Sequence, residues 1–304
     1  MKIEYKQGFT PAPILPTLKS ISNNSKKDMV WGFTLLELLV VMVILGILSS
    51  VVLMSYKGYD QKAKINRTAQ WSKSVHSLLG AYAVGVWSFD NIQGTTVYDD
   101  SGNNNGQISG TVSVVDGIAG GNGLNLNGGY VNCGNDPSIR VVSSMTLEFW
   151  AKPNNIASPS RQNPVCKAYG GEFCLTMEPS GGLSYYHGSA GANGSPYMGL
   201  TTAGMLANNI WTHIAIVRNN ETRTIYVYKD SKLVNTRTWT SGYDPAPSAS
   251  YNFQIGAGYV NRFYGIIDEV RFYKEMLTQT QIEQHYAQGL KIHQNLAMKF
   301  TPVK

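Results

Sequence analysis

Residues 35–54, LLELLVVMVILGILSSVVLM, form an apolar run with a single charge. At about 1.5 Å of rise per residue, a helix of this length covers roughly 30 Å, the thickness of a bilayer's hydrocarbon core. The pattern then stays helical but becomes one-sided. Trp71, Val75, Leu78, Leu79 and Tyr82 fall at i, i+4, i+7, i+8 and i+11, with Lys62, Lys64, Arg67 and Lys73 among the polar positions between them. One long helix from Phe33 to about Tyr82 is predicted, its second half packing an apolar stripe on whatever follows. From Val86 onward the period changes to two, and short alternating runs are separated by Gly, Asn, Asp and Ser clusters. That is the pattern of an all-β sandwich. Strands are predicted at 86–89, 124–126, 145–151, 174–177, 211–218, 224–228, 253–255 and 266–273.

Composition narrows the class. A chain of 304 residues that is 43% hydrophobic can bury a core, which excludes global disorder. Only 14% of residues are charged, and 31 Gly and 18 Tyr give the profile of a secreted β protein rather than a cytosolic enzyme. The net charge of +6 is not a nucleic-acid signal. Lys2, Lys6, Lys19, Lys26 and Lys27 stand against Glu4 and Asp28 ahead of Phe33, so half the excess sits in a basic leader. Placed before the apolar run, these lysines keep the N-terminus in the cytoplasm and send the rest of the chain outward. A secretory signal has a shorter apolar stretch. Here, too, Glu37 interrupts the run, at an insertion cost of about 2.5–3.5 kcal/mol that calls for a reason.

The residues around Glu37, GFTLLE with Lys26 and Lys27 upstream, resemble the N-terminus of type IV pilins and of the pseudopilins of type II secretion. The resemblance implies a prepilin peptidase that cuts after Gly32, N-methylation of Phe33, and Glu37 as fifth residue of the mature chain. It also implies that Glu37 neutralises the Phe33 amine of a neighbouring subunit, so that two charges are buried together. Two departures stand out. The leader is long and carries Pro11, Pro13 and Pro16, and there is no proline between Thr17 and Asp136, where major fibre-forming members often have one. The second departure favours a pseudopilin-like or minor-pilin-like role.

A second resemblance covers about residues 86–289. GVWSFD at 85–90, DDSGNNNG at 99–106, LNLNGGYV at 124–131, MTLEFWAKP at 145–153, WTHIAIVRN at 211–219, TIYVYKDSKLV at 224–234, IGAGY at 255–259 and the segment 264–286 are similar to landmarks of laminin G-like, concanavalin A-like lectin/glucanase domains. The implied fold class is a long N-terminal α-helix plus an all-β jelly-roll sandwich with a short C-terminal helix. Its divisions are a cleavable leader (1–32), a transmembrane and assembly helix (33–85), the sandwich (86–290) and a tail (291–304). Asp230 is followed by Ser231 where an Asp-Gly turn is usual, so a slightly different turn is expected there.

Several residues carry candidate chemistry. Asp268 lies in line with Ile266, Val270 and Phe272 in the last predicted strand, and a buried carboxylate must be paired, hydrogen-bonded or metal-bound. The resemblance implies a structural Ca²⁺ on the convex side with Asp90 as second ligand and loop carbonyls completing the shell. The alternative is that Asp268 accepts backbone N–H bonds with no ion. Glu148 has no second carboxylate at glycosidase spacing in its strand and reads as structural, so no enzyme activity is expected. His76, His187, His213, His285 and His293 show no mutual spacing for metal or triad work and read as surface or edge residues. Tyr185, Tyr186, His187 and Tyr197 fall in a Gly/Ser/Asn-rich stretch that suits stacking on sugar rings, and Trp239, Tyr243 and Tyr259 lie near other turns. Cys166 and Cys174 flank KAYGGEF in hairpin fashion and can form a disulfide, leaving Cys133 free.

The expected protein is a pilin-like or pseudopilin-like subunit. It would sit as a single-pass protein in the cytoplasmic (inner) membrane with its C-terminal domain outside, and on the cell surface or pilus after assembly. Its partners would be a prepilin peptidase, other pilin or pseudopilin subunits, the membrane, and an extracellular glycan or protein. The rivals are a singly anchored carbohydrate-binding protein and a glycan hydrolase on the same fold.

Overall fold

The computed structural model describes residues 34–46, 48 and 80–300, apart from 103, 119, 158 and 159, with side chains described as far as Leu290. The chain divides into two units, Met1–Ser55 and Tyr56–Lys304.

In the first unit residues 35–46 are helical. Leu35, Leu36, Leu38, Leu39, Val40, Val41, Met42 and Val43 are all exposed, so apolar side chains lie on every face of the described helix. A helix that is apolar all round is made to be surrounded, by lipid or by other helices. Among the described residues no helix is long and apolar enough to cross a membrane. The rest of the predicted span, and the one-sided stretch after it, lie outside the described residues. Where the predicted helix ends, Gly80–Tyr82 is a 3₁₀ turn, and a strand, Ala83–Trp87, follows at once.

The second unit is a two-sheet sandwich. One sheet orders its strands Lys232–Thr238, Thr224–Lys229, Thr212–Asn219, Met145–Pro153, Tyr264–Tyr273, Asn122–Asn127 and Val112–Asp116, with Ala83–Trp87 also paired to Tyr264–Tyr273. The other runs Tyr197–Thr202, Leu183–Gly188, Phe173–Met177, Val165–Ala168, Gln254–Ile255, Tyr130–Asn132, Gly106–Ser109, Thr96–Val97 and Ile92–Gln93. Every predicted strand is present within a few residues of its expected bounds. Leu183–Gly188 and Tyr197–Thr202 are also strands, although they lie in the Gly/Ser/Asn-rich stretch.

Strand alternation fills the space between the sheets. Met145, Leu147, Phe149 and Ala151 point inward from one strand, and Ile214 and Ile216 from its neighbour. At the centre Trp87 stacks on Phe253 at 5.0 Å between ring centroids, and Phe173 and Phe272 close the group at 5.2 Å from each other. Arg218 is buried beside this core and donates to the carbonyls of Val141, Ser143 and Glu172. A second apolar layer, with Trp150, Tyr273, Leu277 and Ile282, lies on the outer side of the first sheet. It is covered by a helix, Gln279–Phe300, which continues well past residue 290 into the segment read as a tail. Thr278 and Gln281 cap that helix reciprocally, the Gln281 amide oxygen accepting from Thr278 N–H at 2.8 Å and Thr278 Oγ1 accepting from Gln281 N–H at 3.3 Å.

Two local features depart from the sequence reading. In Tyr264–Tyr273 the register shifts between Asp268 and Arg271, and Glu269 has a φ of 52°. This bulge moves the alternation by one residue. Ile267, Val270 and Phe272 enter the core, whereas Asp268 pairs opposite Trp150 and shares the outer face with Arg271 and Tyr273. The expected face of Ile266, Asp268, Val270 and Phe272 is therefore broken. At the second place, Asp230 and Ser231 both take positive φ, 48° and 66°, which is the pattern of a type I′ hairpin turn even without glycine.

Candidate functional site

At the head of the first helix, Thr34 and Glu37 cap each other. Glu37 Oε2 accepts from the Thr34 N–H and from Thr34 Oγ1, both at 3.0 Å, while Thr34 Oγ1 accepts from Glu37 N–H at 3.3 Å. This reciprocal cap satisfies two backbone donors that a helix start otherwise leaves open. Gly32 and Phe33 lie outside the described residues.

Asp90 and Asp268 meet at one loop. Asp90 Oδ1 accepts from Asn122 N–H at 2.7 Å, and Asp268 Oδ2 accepts from Ile118 N–H at 2.8 Å. The two carboxylates thus hold both ends of the 117–122 loop, which Gly117 N–H and Gly121 O close at 2.9 Å. A Cβ on Gly117 would overlap Asp268 Oδ2, and one on Gly121 would overlap Asp90 Oδ1, so only glycines let the loop sit this close. Burial pushes the Asp90 carboxyl up to about 6, helped by the charge of Asp100 and opposed by the Asn122 bond. Burial likewise raises Asp268 well above the usual carboxylate range, and the charge of Asp90 adds to it. Glu269, buried beside them, is also raised well above its ordinary value by burial, although it is paired with Arg271. Asp268 Oδ1 also accepts from Glu269 N–H at 2.7 Å, so both oxygens of Asp268 hold backbone donors. Among the described residues no group of three or more His, Cys, Asp and Glu is placed to hold a metal. Calcium's six to eight oxygens would therefore have to come largely from carbonyls and water.

The predicted sugar-stacking set divides in two. Leu183–Gly188 is a strand, so Tyr185 and His187 point into the sandwich and Tyr186 points out. Tyr185 and His187 are buried and cannot meet a ligand. The Tyr185 hydroxyl lies 3.3 Å from Arg218 Nη1, and His187 packs against Trp239 at 4.6 Å. Burial, with the Arg218 charge, lowers His187 to about 2. Tyr186 and Tyr197 do meet on the outer face, with ring centroids 5.9 Å apart, and Tyr169 and Tyr259 join them. Arg161 anchors the group through a two-toothed pair with Glu178, its Nε 3.0 Å from Oε2 and its Nη2 3.0 Å from Oε1. The same Nη2 donates to the Tyr186 and Tyr259 hydroxyls at 2.7 and 2.8 Å. Beneath lies the Cys166–Cys174 disulfide, its Cα atoms 4.1 Å apart across one strand pair. Cys133 is free and buried, its thiol pushed up by burial. Sequence reasoning missed Arg161, Tyr169 and Glu178, which are remote in the chain; the alternation in LSYYHG was the signal for which tyrosine faces out.

Three of the five histidines are buried, contrary to their expected surface placement: His187, His213 and His285. The side chains of His76 and His293 lie outside the described residues. Under the C-terminal helix, His285 Nδ1 lies 2.6 Å from Glu148 Oε1, His213 Nε2 3.7 Å from Oε2, and Arg271 Nη1 3.8 Å from Oε1. Glu148 is fully buried; burial alone would raise its carboxyl, but the charge and hydrogen bond of His285, with the Arg271 charge, bring it to about 2. Burial lowers His213 to about 4.

A sequence model described as the concanavalin A-like lectin/glucanases superfamily matches residues 125–283, just over half of the chain. The chain belongs to that superfamily. Its lectin/glucanase-type sandwich is similar to domain 4 of AbnA, an extracellular arabinanase from Geobacillus stearothermophilus solved with arabinotriose. That likeness has a TM-score of 0.52 and 24% identity, over 67% of this chain and 97% of that one. It is also similar to the binding domain of Paraclostridial Mosquitocidal Protein 1, with a TM-score of 0.54 and 14% identity, over 68% of this chain and 52% of that one. Identities this low show the fold alone. A prokaryotic N-terminal methylation motif matches residues 32–53, which hold Gly32, Phe33 and Glu37. The chain is 28% identical over 123 residues to the type IV major pilin protein PilE of Neisseria gonorrhoeae. That match covers 40% of this chain and spans 66% of the pilin's length. This member of the superfamily therefore joins a type IV pilin-type methylation motif to a lectin-like sandwich.

Proposed function

We propose that the chain is a type IV pilin-like or pseudopilin-like subunit, held in the cytoplasmic (inner) membrane by one helix with its sandwich outside, then assembled into a pilus or secretion pseudopilus. The sandwich is displayed for adhesion to a glycan or protein. The observation that carries this reading is the methylation motif at residues 32–53 in the same chain as a lectin-like sandwich. The all-round apolar surface of residues 35–43 supports it, since such a helix suits both lipid and a bundle of like helices. We read the sandwich as a binding module, not a hydrolase. Glu148 is enclosed by His285, His213 and Arg271, and a retaining glycosidase needs two carboxylates about 5–5.5 Å apart facing substrate.

Processing tests the proposal. Co-expression with a prepilin peptidase should shorten the chain by 32 residues and leave a methylated Phe33, and a bulky replacement of Gly32 should block the cut. Mass spectrometry of the N-terminus reads the result. A chain that keeps Met1 in native cells would refute assembly and leave the singly anchored binding protein.

A structural Ca²⁺ held by Asp90 and Asp268 belongs to the same proposal. With calcium at about 100 times its Kd, binding should add about 2.7 kcal/mol to folding, several degrees in Tm. EDTA should remove that gain and calcium restore it. Asp268→Asn keeps an acceptor for Ile118 N–H but is a poor calcium ligand, so it should abolish the calcium response. A Tm indifferent to EDTA would leave Asp268 as a loop anchor only.

A further inference from the structure

The outer face of the second sheet carries a cluster that neither the processing motif nor the acidic loop uses. Across this sheet Gly199, Tyr186, Cys174 and Cys166 lie opposite one another in register and face away from the core. A Cβ on Gly199 would stand 2.7 Å from the Tyr186 ring, so the glycine lets that ring lie across the edge strand. Tyr197 reaches it from the edge, and Tyr169 sits edge-on to Tyr197 with centroids 5.0 Å apart. Tyr259 closes the far side, 4.5 Å from Tyr169 and with its hydroxyl 3.2 Å from Thr176 Oγ1. At the middle are Arg161 and Glu178, with side chains 36% and 21% exposed. The Arg161 guanidinium stands 5.5 Å from the Tyr186 centroid and 5.6 Å from that of Tyr259.

We infer that this tyrosine platform is a binding site for a neutral glycan. The inference rests on the reading of the sandwich as a displayed binding domain and names its ligand class. Three features point to that class. Part-exposed tyrosine rings offer apolar faces that match the C–H face of a pyranose or furanose ring, while the Tyr186 and Tyr259 hydroxyls are spent on fixing those rings to Arg161. The Arg161–Glu178 pair sets fixed donors beside fixed acceptors, which matches sugar hydroxyls that both donate and accept. The pair carries no net charge, so an anionic chain gains nothing from the arginine. The platform is also preorganised. Its rings are held by Arg161, by the disulfided strand pair and by Asn193, whose Oδ1 accepts from Tyr169 N–H at 3.0 Å, so little side-chain freedom remains to be lost on binding.

The test uses the full chain in a sugar-free detergent, lauryldimethylamine oxide. Isothermal titration calorimetry is run with cellotetraose, xylotetraose, mannotetraose, chitotetraose and arabinotriose, and with a galacturonic acid oligomer as the charged arm. At least one neutral oligosaccharide should bind. Tyr186→Ala and the surface variant Tyr197→Ala should each weaken it tenfold or more with Tm held, whereas Tyr186→Phe, which keeps the ring, should change it less than threefold. Tyr98→Ala, at the other end of the sheet, should have no effect. Absence of binding to every neutral probe, unchanged affinity in both alanine variants, or tighter binding of the galacturonic acid oligomer than of any neutral one would each overturn the inference. These readouts are independent of N-terminal processing, so a failed platform and a failed pilin reading are told apart.

Discussion

Glu148→Ala is expected to destabilise the sandwich by about 3–5 kcal/mol, seen as a fall in the urea midpoint with an unchanged slope. Glu148 is the buried anion between His285 at 2.6 Å, His213 at 3.7 Å and Arg271 at 3.8 Å. Removing it leaves cationic and polar groups in a dry layer beneath the C-terminal helix, where water cannot replace the lost partner. Glu148→Gln should cost less, because an amide still meets His285. The same cluster gives stability a pH dependence. His213 is lowered from 6.5 to about 4 by burial, so it prefers to be neutral in the fold. Its contribution is complete above pH 6.5, where folded and unfolded chains both leave it neutral. As pH falls below 6.5 the unfolded state takes up a proton that the folded state refuses, and stability drops until about pH 4. At 1.36 kcal/mol per pH unit the loss is about 3 kcal/mol. His213→Phe should remove that share of the acid slope, and a slope unchanged in this variant would show that His213 is charged in the fold.

Glu37→Val is expected to leave membrane insertion intact or improved, since it removes an insertion cost of about 2.5–3.5 kcal/mol, and yet to abolish incorporation into fibres or pseudopili. The carboxylate also caps its own helix through Thr34, so loss of the cap is a rival cause of any defect. Thr34→Ala separates the two. It removes one half of the reciprocal cap, worth about 0.5–2 kcal/mol locally, and keeps the carboxylate. Thr34→Ala should therefore still assemble. If it fails like Glu37→Val, the role of Glu37 is to start the helix; if Glu37→Val assembles normally, pairing with the Phe33 amine is not why the carboxylate is there.

Much of this protein is decided along the chain itself. The apolar run with one carboxylate, and the GFTLLE residues at its head, need no neighbours to be read, because the motif is one continuous stretch of chain. The change of period at Val86 is equally local, since strand alternation records which side of a sheet is buried, and it placed all eight predicted strands. The pairing of Cys166 with Cys174 follows from a hairpin of short loop length. Other features needed the folded molecule. One extra residue at Glu269 shifts the alternation of the last strand, and no local signal announces it, because the bulge is held by Arg271 and by backbone donors from Ile118 and Glu269 meeting Asp268. Tyr185 and His187 looked like loop residues because the stretch around them is rich in Gly, Ser and Asn, and only pairing on both sides made that segment a buried strand. The histidines read as surface groups because their partners lie far away in sequence, as Glu148 does from His285. Arg161, Tyr169, Tyr186 and Tyr259 come from separate strands and loops. Their shared face exists only once the sheet has closed, since hydrogen-bond register across strands, and not spacing along the chain, sets which side chains meet.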